Sequence, residues 1–174
     1  SMRYVLENTG TSFTTLEEEL NHIDEYMEIQ RLRFGDRVQY EKNVEDGLET
    51  SKYYILPLLL QPMVENAIVH GLEEVDEGGK IILSVYIKDM DDSQLLMIDV
   101  DDNGCGMDEE TLSKLRRDIE VRDMGRSRSI GLYNINQRMK LHYGDGYKIH
   151  IYSEPGQGTR IRLIIPVDKC NSET

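Results

Sequence analysis

Apolar residues return at helical spacing early in the chain, at Leu16, Leu20, Ile23, Met27 and Phe34. Glu17, Glu18 and Glu19 fill the first turn, where carboxylates suit the positive end of the helix dipole, and Gly35 follows in a helix-ending position. The pattern predicts an amphipathic helix of about six turns from Thr14. Val38 and Tyr40 then alternate with polar neighbours as in a half-buried strand. Pro57 to Gly71 is mainly apolar and reads as a helix opened by a proline and closed by a glycine. A bend is expected at Pro62, whose ring removes a backbone donor. Ile81, Leu83, Val85 and Ile87 alternate in a clear strand, and Leu95 to Val100 reads as a buried strand after the turn Asp91-Asp92-Ser93. Residues 108–119 and 131–143 fit helices, and residues 120–130 are charged and irregular. Strands near 147–153 and 159–166 are joined by the turn Glu154-Pro155-Gly156-Gln157-Gly158.

The order is helix, strand, helix, two strands, two helices, two strands, with no internal repeat. Neighbouring strands joined by short turns pair antiparallel, which argues against a regular doubly wound parallel sheet. The fold class is α/β, with a mixed, mostly antiparallel sheet carrying helices on one face.

A hydrophobic fraction of 39% and a charged fraction of 30% fit a folded soluble domain. The net charge of -13 argues against nucleic acid or anionic lipid as a partner, because both need clustered cations. Only Cys105 and Cys170 are present, without CxxC spacing, which gives neither a cysteine zinc site nor a disulfide framework and suits a reducing cytoplasm. No apolar run approaches the roughly 18 residues of a membrane-spanning helix. Ser1-Met2 reads as a cleavage remnant before an internal start, and residues 1–13 as a linker. The expectation is a fragment of a longer protein whose membrane part lies elsewhere.

Four short stretches carry chemistry. In LQPMVENAIVHG, Leu60 to Gly71, Asn66 and His70 share a helix face, and a carboxamide oxygen on a rigid helix suits Mg²⁺. The plain alternative is a local hydrogen bond for Asn66 and a C-terminal cap for His70. In DVDDNGCGM, Asp99 to Met107, Asp102 ends a strand and can accept from an exocyclic amine such as that of adenine. Gly104 and Gly106 follow, where a flat base could lie against the backbone, although Asp-Asn-Gly is also an ordinary turn signal. Gly131, at the start of a helix that contains Asn134 and Arg138, exposes N–H groups that attract phosphate. The PGQGT turn, Pro155 to Thr159, is a hairpin by default. Arg116, Arg117, Arg122, Arg126 and Arg128 are scattered among acids, either as a solvated loop or as a lid over phosphates.

In this order the four stretches resemble the N, G1 and G2 boxes, with the glycine-threonine turn, of the gyrase, heat-shock-chaperone, histidine-kinase and MutL ATPase superfamily. LQPMVENAIVHG, together with EEELNHIDEYMEIQRLRFGDR upstream, is similar to the YesM/LytS-like sensor histidine kinases, from about Thr14 to Val167. The resemblance implies a Bergerat-type two-layer sandwich over 36–168, a connector helix over 14–35 and a tail over 169–174. It implies ATP and Mg²⁺ as cofactors, with Asn66 on the metal and Glu65, Asn66 and His70 in the catalytic set. Asp102 would read the adenine amine, and Gly104, Gly106 and Met107 would line the base pocket. Gly131 and Leu132 would meet the phosphates, residues 108–130 would be the lid, and Gly156, Gly158 and Thr159 would close the adenine side. The implied partners are an upstream histidine acceptor and dimerisation domain, a response regulator and a second copy of the full-length protein. The implied location is cytoplasmic, on a membrane-anchored parent.

The chain departs from the family's wording at three places. Pro62 stands where many relatives carry Asn or Glu, Val69 where many carry Lys or Arg, and Ser129-Ile130-Gly131-Leu132 replaces Gly-x-Gly-Leu. The acceptor is expected in a histidine-phenylalanine motif before residue 1, and the surroundings of His22 lack that pattern. Two rivals share the boxes: a serine kinase that inhibits a sigma factor, which the connector helix disfavours, and a non-catalytic nucleotide-binding or dimerisation module.

Overall fold

The first long helix is set by its own ends. Thr15 is the N-cap, its hydroxyl accepting from the Glu18 amide, and Gly35, at φ +59°, closes the other end by donating to the Arg31 carbonyl. Between them α1 runs Leu16–Phe34, preceded by the two-residue strand β1, Thr14–Thr15. The computed structural model describes residues 12–121 and 130–170. Most of the predicted linker, the expected lid residues Arg122, Arg126, Arg128 and Ser129, and the end of the tail lie outside the described residues.

Strand β2 spans Val38–Val44, and β3, Tyr54–Ile55, pairs with β1 in a small ribbon too short for any sequence period to reveal. Helix α2 spans Leu60–Asn66 and continues into one π-helical turn, Ala67–Gly71, closed by Leu72 N–H donating to the Ala67 carbonyl at 3.0 Å. This corrects the expected start at Pro57 and the bend at Pro62. Pro62 is the third residue of the helix, where backbone donors lack intrahelical partners anyway, so its missing N–H costs nothing. The irregularity lies one turn later, in the π turn.

Strands β4, Gly79–Met90, and β5, Ser93–Asp102, form a long hairpin. Helix α3, Glu109–Glu120, is capped by the Asp108 carboxylate, and α4 is Ile130–Tyr143. Strands β6, His150–Glu154, and β7, Gly158–Pro166, complete a five-stranded sheet in the order β2-β4-β5-β7-β6. Among the described strands only β2 and β4 pair in parallel, with α2 in the crossover between them. The fold is therefore the mixed, mostly antiparallel α/β sandwich with an N-terminal helix.

One core joins the layers. Ile81, Leu83 and Val85 of β4, Leu96, Ile98 and Val100 of β5, and Ile161, Leu163 and Ile165 of β7 point at the apolar sides of the helices. On the opposite face Asp99 is buried beneath Arg162, which holds it through two bonds of 2.7 and 3.0 Å, while Tyr86 donates to the same carboxylate. Residues 109–120, part of the expected lid, are instead a core-packed helix with Leu112, Leu115 and Ile119 buried.

The fully buried Asn136 joins three elements. Its Nδ2 donates to the Ile119 carbonyl at 3.1 Å, and its Oδ1 accepts from Ile149 N–H at 3.0 Å. Asn136→Ala strips partners from a buried carbonyl and a buried amide together. The expected loss is about 2–4 kcal/mol in urea unfolding. A loss under about 0.5 kcal/mol, the range of a surface change, would show that neither bond matters.

Candidate functional site

The site grows from the end of β5. A Cβ added at Gly104 would lie 1.6 Å from the Gly71 carbonyl oxygen, and one added at Gly71 would lie 2.5 Å from the Asp102 carboxylate. The loop after β5 is thus pressed against the last residue of the π turn, with Asp102 held between them. Asp102 Oδ1 also accepts from Gly104 N–H at 2.9 Å, which fixes the carboxylate. Asn103 secures the loop from the other side, donating to the Gly78 carbonyl and accepting from Lys80 N–H.

The β6–β7 turn packs on the same loop. A Cβ at Gly106 would lie 1.9 Å from the Glu154 carbonyl oxygen, and one at Gly158 would lie 1.9 Å from that of Asp102. Gly156 N–H donates to the Cys105 carbonyl at 2.7 Å. Ser153, which the sequence reading passed over, accepts from Met107 N–H at 2.9 Å, donates to the Gly158 carbonyl and bonds the Thr159 hydroxyl. Gly104, Gly106 and Gly158 thus make room for neighbouring backbone, a different reason from the flat base expected of Gly104 and Gly106. Gly71, read only as a helix end, backs the key carboxylate. A glycine closing an apolar helix, with Asp-x-Gly following a later strand, was the one available signal for that contact.

Asn66 sits on α2 just over one turn before Gly71. Its side chain is 7% exposed, yet Oδ1 makes no hydrogen bond. A buried carbonyl oxygen without a donor is costly unless something else satisfies it, and a hard cation is one such group. Among the described residues no three His, Cys, Asp or Glu side chains gather as a metal site. The Asn66 oxygen is of the kind that suits a hard cation such as Mg²⁺, which takes oxygen ligands and keeps several of its waters.

Gly131, in the first turn of α4, lies against α2, its virtual Cβ 3.3 Å from Pro62 Cβ. Leu132 is buried in the core, so toward any phosphate it offers only backbone. Arg138 on α4 is committed to the Pro57 carbonyl at 2.6 Å. Glu65 accepts from Gln61 Nε2 of the same helix at 2.8 Å, and its charge reaches Tyr26 of α1. His70 is half-buried in the π turn, and Val69 before it is exposed. The structure thus gathers Asp102, Gly104, Gly106, Met107, Gly156, Gly158 and Thr159 around one loop beside the helix of Asn66, with Gly131 at that helix's first turn.

Burial pushes the Asp102 carboxyl up to about 6, with the Gly104 and Thr159 backbone bonds pulling the other way. At neutral pH it is still largely a carboxylate, an acceptor for an amine N–H.

Comparison with known proteins bears on this arrangement. Residues 55–169 match the family described as histidine kinase-, DNA gyrase B-, and HSP90-like ATPase, and residues 1–38 match the histidine kinase family. Over 172 residues the chain is 33% identical to the sensor protein kinase HptS of Staphylococcus aureus strain USA300, covering 98% of this chain and 31% of the relative. The HptS of strain NCTC 8325 / PS 47 matches at the same identity and coverage. The chain thus spans about a third of the length of these curated relatives. Among solved structures, the histidine kinase domain from the Erythrobacter litoralis EL346 blue-light activated histidine kinase superposes with a TM-score of 0.62 at 15% identity, covering 97% of this chain and 70% of that one. The catalytic domain of histidine kinase ThkA gives 0.59 at 16% identity, covering 89% and 95%. At such identities the structural likeness shows the fold alone.

The raised Asp102 pKa has a stability consequence. The native state takes up this proton near pH 6 and the unfolded chain near 3.8, so Asp102 makes the fold more stable as pH falls through that window and less stable above it. Asp102→Asn removes the charge. Without ligand, the variant is expected to exceed the parent by up to about 3 kcal/mol at pH 8, with the gap closing by pH 4. Thermal melts across that range check this, and a variant less stable than the parent at pH 8 would refute it.

Proposed function

The chain belongs to the histidine kinase-, DNA gyrase B-, and HSP90-like ATPase family and is the ATP-binding catalytic domain of a histidine kinase; from that premise we propose that it hands the γ-phosphoryl group of ATP to a histidine on another domain of its parent protein. The observation that carries this reading is the buried, unbonded Asn66 oxygen on the helix whose last residue packs on Asp102. One group suits the cation at the phosphate end, and the other suits the amine at the base end.

In this reading Asp102 accepts from the adenine amine, and Gly104, Gly106 and Met107 border the base. Gly156, Gly158 and Thr159 close its far side, while Gly131 and Leu132 offer backbone N–H groups to the phosphates at the start of α4. Asn66 holds Mg²⁺, which when bound offsets the charge of the phosphates. His70, one turn beyond Asn66, belongs to the phosphate end. Glu65 lies on the side from which α1 arrives, so any part it takes in proton handling is at the border with the acceptor domain.

Neutral imidazole carries a free lone pair on one ring nitrogen, so the acceptor needs no strong base. What the chain contributes is position: the base is fixed at one end and the phosphates at the other, so that the γ-phosphorus is presented in line. Among the described residues no helix is long and apolar enough to cross a membrane. We place this domain in the cytoplasm, on a membrane-anchored, homodimeric parent that passes its phosphoryl group to a response regulator and does not bind nucleic acid.

Incubating the intact parent with γ-labelled Mg-ATP should give an acid-labile, alkali-stable label on a histidine outside this chain. Asn66→Ala should slow labelling roughly a hundredfold. Label on His22, or acid-stable label on serine of an added protein, would contradict the assignment.

A further inference from the structure

Helix α1 meets α2 through a directed hydrogen-bond chain as well as through apolar packing. His22 Nε2 lies 2.6 Å from Gln61 Oε1, and Gln61 Nε2 donates to Glu65 Oε1 at 2.8 Å. The direction is forced. Reversing the Gln61 amide would set its oxygen against a carboxylate, so its oxygen must face His22. An oxygen cannot donate, and His22 must therefore carry a proton on Nε2.

Gln61 and Glu65 are four residues apart on one stripe of α2, and the stripe faces α1. Tyr26, one turn beyond His22, borders it too: its hydroxyl is pushed up in pKa by burial and by the charge of Glu65. A second polar contact grips the approach to α2, where Glu19 Oε1 accepts from Leu58 N–H at 2.8 Å. Leu58 itself is held at φ +60°, a conformation a leucine adopts only under constraint. Leu16, Leu20, Ile23 and Met27 already bury one stripe of α1, and apolar packing of this kind is less directional than a hydrogen bond. The polar chain supplies direction. Asn66 follows Glu65 by one residue, about 100° around the helix, so pinning Gln61 and Glu65 toward α1 sets where the Asn66 oxygen points.

We propose that His22 and Gln61 are positioning residues through which α1 sets the rotation of α2 and so presents Asn66 to a metal-bound nucleotide. This rests on reading the site as one for Mg-ATP. It makes the connector helix a part of that site rather than a tether: displacing α1 from α2 lowers metal-dependent nucleotide affinity and leaves the base end intact.

The test uses this chain, with His22→Ala, His22→Gln and Gln61→Leu. Nitrogen-15 spectra of the imidazole report the tautomer without any ligand: a proton is expected on Nε2 of His22, and a neutral ring protonated on Nδ1 alone would overturn the proposal. Calorimetric titration with a non-hydrolysable ATP analogue, in Mg²⁺ and in EDTA, reports the coupling. His22→Ala and Gln61→Leu are expected to weaken binding about five- to tenfold in Mg²⁺ and to leave binding in EDTA unchanged. His22→Gln, whose amide can still donate to Gln61, should recover to within about twofold. Equal losses in both conditions would indicate a merely structural role and overturn the proposal, as would no loss in either. Failure of the unsubstituted chain to bind in both conditions would remove the nucleotide reading and this role with it, while the tautomer result would still stand as the separate judgement on the chain of bonds.

Discussion

The contact on which the site depends is the packing of Gly104 against Gly71, with the Asp102 carboxylate between two pieces of backbone. A side chain at Gly104 would overlap the Gly71 carbonyl, and one at Gly71 would overlap the carboxylate. Because neither has a Cβ, the end of β5 reaches the end of α2, and a charged group stands buried in a defined direction. The π turn over Ala67–Gly71 belongs to the same device. Its wider hydrogen bond carries Gly71 to the strand end while Asn66 stays on the regular helix above it. Holding Asp102 so deeply costs stability at neutral pH, which is the usual signature of a group kept for a ligand.

The other elements orient this pair. Helix α2 is touched on three sides: by the β5 loop at its end, by Gly131 of α4 at Pro62, and by His22 of α1 at Gln61. Both ends of a nucleotide would thus be read by groups whose places depend on one short helix. The three contacts differ in kind, one a backbone clash avoided, one van der Waals, one a hydrogen-bond chain. That allows α1 to influence the metal end without disturbing the base end.

Much of this was legible in the sequence. Alternation at Ile81, Leu83, Val85 and Ile87 fixes β4 because one face is buried and the other is not, and the glutamates ahead of Leu20 fix the start of α1. Four short motifs in order marked the residues around Asp102. What stayed hidden was contact between segments far apart in sequence. Nothing local says that Gly104 needs its missing Cβ because of Gly71, that Ser153 ties Met107 to Thr159, or that the charge of Glu65 reaches Tyr26 of α1. Pro62 misled for a related reason: whether a proline bends a helix depends on where the helix begins. That start, Leu60, is set by Glu19 and Arg138 holding Pro57 and Leu58 out of it.

The measurement that bears most directly on the glycine contact is titration of Gly71→Ala with a Mg-bound, non-hydrolysable ATP analogue, beside the unsubstituted chain. One methyl group there would lie 2.5 Å from the Asp102 carboxylate and displace it. The expected result is a far-ultraviolet spectrum like that of the parent, with affinity lowered at least about tenfold, one lost charge-assisted hydrogen bond being worth that much. Unchanged affinity in a folded variant would mean that the contact does not shape the site.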